Sequence, residues 1–207
     1  MNADNRCRKL LWLGLCTVIL FTGCAASTYI NIAYRPQPAT DLLQGRKLHV
    51  IVTDARTRPN VLGPKAQDTF EYFTGTYSLY VEPEGGPKAL LGAYNLTNLF
   101  KAAMGHRLRG LGMTLLPEAA PGETTLEIRI KEFTLNLEGQ TWKTAVDYDA
   151  ELARDQQPLA RETVTAKAER FRGLGRKEAE KVLSGLFSDC VNGLDIHRLF
   201  QRAAARQ

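Results

Sequence analysis

Cysteine is scarce and badly placed for disulfides. Of four in 207 residues, Cys7, Cys16 and Cys24 fall within the first 24 positions, leaving Cys190 alone in the remainder. An exported domain built on disulfides carries paired cysteines, so this fold must rest on an apolar core, with Cys190 read as a small core residue. Metal and nucleophile signatures are missing too. His49, His106 and His197 are far apart, with no His-x-x-x-His or Cys-x-x-Cys spacing, and no metal site or cofactor is expected. Neither a Gly-x-Ser-x-Gly elbow nor a Gly-x-x-x-x-Gly-Lys-Ser/Thr loop occurs, which removes the usual entry points to hydrolases and nucleotidases. Charge of one sign is modest as well: 27 basic against 22 acidic residues leave +5, without the clustered Lys and Arg of a nucleic-acid-binding face.

No apolar run reaches the roughly 20 residues that a spanning helix needs. What is present is shorter and closer to the start. Arg6, Arg8 and Lys9 precede the uncharged run Leu10 to Phe21, which leads into Thr22-Gly23-Cys24-Ala25. A basic segment, a dozen apolar residues and small residues around a cysteine form a signal-peptide profile. The pattern resembles the bacterial lipobox, with Phe21 where Leu is usual. That resemblance implies cleavage before Cys24, diacylglycerol on its thiol and an N-acyl chain such as palmitate on its new amino group. Loss of residues 1–23 removes three cations and one carboxylate, taking the formal charge from +5 to +3. Three acyl chains hold a protein stably on a membrane without spanning it, at about 0.8 kcal/mol per buried methylene. Ala25 and Ala26 follow the cysteine where aspartate would signal inner-membrane retention, so the resemblance implies the outer membrane, periplasmic face.

The mature chain divides into a lipidated N-terminus and tether, 24–44, and a single α+β periplasmic domain, 45–207. Tyr29 to Tyr34 reads either as a short strand or as tether. Arg35-Pro36-Gln37-Pro38 is an extended connector, because proline fixes its own φ and pushes its predecessor out of the α region. Lys47 to Asp54 is a β-branched run suited to a buried strand. Ala55 to Lys65, with Pro59, Gly63 and Pro64, reads as a surface loop. Thr76 to Val81 predicts a strand with Tyr77, Leu79 and Val81 inward and Tyr80 outward, making Tyr80 the exposed candidate for partner contact. Between Asn95 and Leu111, apolar residues recur at three and four, and Gly112 stands where a C-terminal cap needs positive φ.

Three strands are expected next as a meander: Thr125 to Leu137, Trp142 to Ala153 and Leu159 to Arg170. Apolar residues sit on even positions through Ile130 and on odd ones from Phe133, so a β-bulge is predicted near Lys131 and Glu132. A last helical region carries Val182, Leu183, Leu186, Phe187, Cys190 and Val191 on one stripe, and Asp195 caps a closing helix. The expected architecture is an antiparallel sheet with a C-terminal meander and two main amphipathic helices on one face.

Two constellations could carry chemistry. Asp147, Asp149 and Glu151 project from one strand face and suit a cation site or acid–base pair. The neighbouring strand favours a solvated outer face instead, since pairing Glu151 with Arg161 sets Asp149 opposite Thr163 and Asp147 opposite Thr165. The second is Arg172, Gly173, Gly175, Arg176 and Lys177, a glycine turn opening a helix with cations nearby, able to hold a phosphate or carboxylate.

The lipobox at Cys24, the meander introduced by Thr125-Leu126-Glu127-Ile128-Arg129-Ile130 and the closing Asp195-Ile196-His197-Arg198-Leu199-Phe200 together resemble the YajG-type outer-membrane lipoproteins. The likeness implies an α+β periplasmic domain of unassigned activity and transfers only Cys24 as a functional position. The functional expectation is a non-enzymatic binding or assembly factor, with a membrane through its lipid and an envelope protein, peptidoglycan or lipid as partners, and no nucleic acid. The alternatives are an auxiliary subunit of an export or lipid-transport machine, and a periplasmic hydrolase built on Asp147, Asp149 and Glu151.

Overall fold

The computed structural model describes residues 28–171 and 175–205. The predicted leader and lipobox with Cys24, and Arg172 and Gly173 of the predicted anion site, lie outside the described residues.

The C-terminal meander forms as its alternation demands. Strands β6 (Thr124–Glu138), β7 (Thr141–Arg154) and β8 (Gln157–Phe171) pair antiparallel in sequence order. The register of β6 against β7 shifts between Ile130 and Glu132, leaving Lys131 as the extra residue where the parity change required one. Leu126, Ile128 and Ile130 before the bulge, and Phe133, Leu135 and Leu137 after it, therefore all reach the same buried face.

Helices cover that face. In α2 (Leu96–Gly110), Asn95 caps the first turn by accepting from the Asn98 N–H, and Leu99, Phe100, Ala103, Met104 and Leu108 turn inward. Gly112 just beyond has φ +85 with Gln44 backbone 3.2 Å from where a Cβ would stand, so glycine is needed there twice over. The helix α3 (Arg176–Gly193) buries Leu183, Phe187 and Val191, and α4 (Ile196–Ala204) is capped by Asp195 through the Arg198 N–H. The Phe100 ring is the hub, with centroids of Phe133, Tyr148 and Phe187 at 5.8, 5.8 and 5.1 Å, all edge-on. Cys190 is buried in this core, and burial pushes its thiol up to about 12.

The α+β class, the meander and the helices on one face are as expected. Other pairings differ from a purely antiparallel sheet. Strand β2 (Lys47–Asp54) lies between β5 (Thr114–Leu116) and β6, parallel to both, in a five-stranded sheet of order β5-β2-β6-β7-β8. A second sheet of order β1-β3-β4 joins Ile30–Tyr34, Tyr77–Val81 and Ala89–Tyr94, with β1 parallel to β3.

That second sheet moves the expected start of the domain from Gly45 to β1. Ile30, Ile32 and Tyr34 are fully buried, so this segment is core and not tether. Its outer edge is sealed by side chains of α3 at intervals of four. The N–H groups of Asn31, Ala33 and Arg35 donate to Glu180 Oε1, Ser184 Oγ and Ser188 Oγ at 3.1, 3.0 and 3.1 Å, and Asn192 Nδ2 donates to the Arg35 carbonyl at 2.7 Å. A helix thus supplies the hydrogen bonds that a neighbouring strand normally would.

The expected loop from Ala55 to Lys65 is also partly core. Val61 and Leu62 are buried, Leu62 bridges to Leu135, and Pro64–Thr69 form the short helix α1 with proline in its first turn.

Candidate functional site

The carboxylate face is an ion-paired outer sheet surface. Asp149 faces Thr163, Asp147 faces Thr165 and Glu151 faces Arg161 in the β7–β8 register. The bulge turns Lys131 onto this face, where its Nζ lies 3.1 Å from Asp147 and 3.0 Å from Asp149. Arg161 pairs with Asp149 Oδ2, and Thr163 Oγ1 donates to Asp149 Oδ1, the oxygen facing Lys131, at 2.6 Å. Burial pushes the Asp149 carboxyl up, but hydrogen bonds from Thr163, Lys131 and Arg161 outweigh that and bring it down to about 2. A general acid for near-neutral pH needs the opposite displacement. Lys131 was the element missing from the sequence reading, and the parity change that located the bulge is the signal that could have found it.

These contacts make stability pH-dependent. Because the folded pKa lies below the unfolded value of about 3.9, Asp149 contributes fully above that value and loses its contribution as pH falls through about 2. Asp149→Asn is expected to flatten the decline in urea midpoint between pH 4 and pH 2. An unchanged acid limb would show that Asp149 is not the group responsible.

Of the other predicted site residues, Tyr80 and Lys177 lie on a groove between α3 and the face of β1 and β3. Tyr80 faces outward, as the alternation of β3 predicts, and Tyr80 and Lys177 line the same cavity of about 550 Å³. Arg35, Lys88 and Lys181 join them, with Glu82 and Glu180 as the facing carboxylates. Lys88 Nζ sits 4.3 Å from the Tyr80 ring centroid, Arg35 pairs with Glu82 at 3.1 Å, and Lys181 pairs with Glu178 at 2.6 Å. The groove is cationic, with an aromatic wall.

Arg176 is committed elsewhere. Its Nε donates to Glu180 at 3.1 Å, its Nη2 bonds the Tyr29 carbonyl, and its guanidinium lies 4.8 Å from the Phe70 ring centroid. It fastens the first turn of α3 to the start of β1. Gly175 precedes that turn with φ +67 and no side-chain cap. Of the predicted anion cluster, the described geometry therefore places Lys177 in the groove and Arg176 beside its wall. Arg35, Lys88 and Lys181 were not anticipated, because the parallel pairing of β1 with β3 and the docking of α3 bring them together. The polar stripe Glu180, Ser184, Ser188 and Asn192 was the legible trace of that docking.

The molecule is thus a two-sheet α+β domain whose first strand is fastened by its penultimate helix. No known family pattern matches the chain, and no curated protein matches its sequence. Among solved structures, a Xanthomonas campestris protein assigned to the family DUF330 has the same fold, with 15% identity and a TM-score of 0.55 over 86% of this chain and 99% of that one. A minor lipoprotein from Acinetobacter baumannii aligns over 82% of this chain and 96% of its own, at 14% identity and a TM-score of 0.37. The rare lipoprotein B from Shewanella oneidensis aligns over 51% and 85%, at 14% identity and 0.36.

Proposed function

We propose that this chain is a lipid-anchored envelope protein, acylated on Cys24 and held at the periplasmic face of the outer membrane, where its domain binds and does not catalyse. The observation that carries this reading is the place of β1. Ile30 lies six positions after Cys24 and is fully buried, so a lipid on Cys24 is coupled to the core by a segment spanning at most about 20 Å. The domain then rides close above the lipid headgroups. No helix of the described residues is long and apolar enough to cross a membrane.

Binding is favoured over hydrolysis by the carboxylate face, where Asp147 and Asp149 are bound to Lys131 and Asp149 also to Arg161. The groove with Tyr80 and Lys177 supplies a surface for an anionic envelope component. The closer likeness to YajG-type lipoproteins rests on the order of lipobox, meander and closing helix.

Intact-mass analysis and membrane fractionation test the anchor. Wild type is expected to carry acyl mass on Cys24 and to sediment with outer membranes, and Cys24→Ala to lose both. A wild-type protein with an intact leader, or one cut elsewhere, would sink the reading.

A further inference from the structure

Elsewhere on the molecule, α2 lies between two strands that each pair on one side. Among the described residues β4 pairs with β3 alone and β5 with β2 alone, so each is an edge of its own sheet. Between them runs a groove of about 600 Å³, with α2 residues Asn98, Lys101, Ala102, Gly105 and Arg109 along it and Leu91 and Leu115 on opposite sides. β5 approaches the helix closely here: a Cβ on Gly105 would come within 3.2 Å of the Leu115 methyl.

A β-bulge equips this groove. The register passes from Leu79↔Gly92 to Tyr80↔Leu90, leaving Leu91 as the unpaired residue. Its side chain lines the groove and is 42% exposed, beside Leu90 at 60%. An edge strand bearing adjacent exposed leucines is a liability unless something covers it. The charge is one-sided as well: among the described residues Lys101 and Arg109 line the groove and no carboxylate does, while burial and the nearby Arg109 hold the lining His106 below the usual imidazole range. The buried Nδ1 of His106 has no hydrogen-bond partner among the described residues.

We infer that this groove binds an extended acidic peptide segment of a partner protein, adding to a free strand edge with its carboxylates against Lys101 and Arg109 and its apolar side chains against Leu91 and Leu115. Unpaired main-chain groups at a strand edge are satisfied by another main chain, and alternating side chains let one extended segment present acidic and apolar groups together. An anionic lipid matches the charge and the apolar walls but cannot complete a strand ladder. The inference rests on reading the chain as a binding protein. Its test does not depend on Cys24, so either can fail without the other.

The test uses full-length protein in detergent and a fluorescent, acetylated eight-residue peptide alternating Glu and Val, read by anisotropy. Wild type is expected to bind it at least tenfold more tightly than the exposed double variant Lys101→Glu/Arg109→Glu. An analogue N-methylated at alternate residues, with unchanged charge, should bind at least tenfold more weakly. Thermal melts of the double variant check that its fold is kept. Equal binding of the N-methylated peptide, equal binding by the charge-reversed protein, or no binding at millimolar peptide each overturns the inference. Loss of bound peptide to phosphatidylglycerol vesicles but not phosphatidylcholine vesicles, without an N-methylation effect, would reassign the groove to lipid.

Discussion

Phe100→Ala is expected to lower the unfolding free energy by about 3–5 kcal/mol. The ring is completely buried and meets Phe133 of β6, Tyr148 of β7 and Phe187 of α3, so its removal opens a cavity where the meander and both long helices meet. None of those rings can collapse into the space without leaving another partner. For a domain of this size the change corresponds to a drop in Tm of about 6–20 °C, measurable by calorimetry. Since native domains are stable by only about 5–15 kcal/mol, the variant should also accumulate poorly in cells. A loss under about 1 kcal/mol would mean that α2 is not seated on the sheet as described.

Arg107→Met should come next, at about 2–4 kcal/mol, for a different reason. Arg107 reaches from α2 to the end of α3, where its guanidinium donates to the carbonyls of Val191 and, at 2.8 Å, Leu194. Those acceptors belong to a helix terminus with no intrahelical donor left for them. A cation at this end also opposes the negative pole of the helix. Burial pulls the Arg107 pKa down, while Tyr34, Tyr148, Asp195 and Glu162 push it the other way. Methionine keeps the apolar stem but removes two charge-assisted bonds, taking this donor from the Val191 carbonyl and leaving Leu194 with only the Ile196 N–H at 3.0 Å. Hydrogen exchange separates this from general destabilisation: protection should fall first in the last turn of α3 and at Asp195, while β6 and β7 retain theirs. Uniform loss across the sheet would contradict a capping role.

The contrast between these residues shows what a sequence exposes. Phe100 belongs to a stripe repeating at three and four, so its inward face was legible before any partner was known. Arg107 interrupts no pattern and matches no motif. The carboxylates behaved like Phe100: alternation put Asp147, Asp149 and Glu151 on one face, and the proposed register against Thr165, Thr163 and Arg161 is the one found. Lys131 behaved like Arg107, for its place among them depends on a bulge turning it outward. Tyr80 was correctly assigned to the outer face of its strand, yet the cations around it were not.

Local periodicity by itself determined the helices α2, α3 and α4 and the meander with its bulge, because each follows from the spacing of apolar side chains. Only the tertiary structure decided that Ile30–Tyr34 is core, that β2 runs parallel between β5 and β6, and that, among the described residues, two sheet-edge strands flank α2. Parallel pairing needs no adjoining turn and leaves no trace at fixed spacing. A backbone edge, whether sealed by Ser184 and Ser188 or flanking α2, is made of groups that nearly every residue carries.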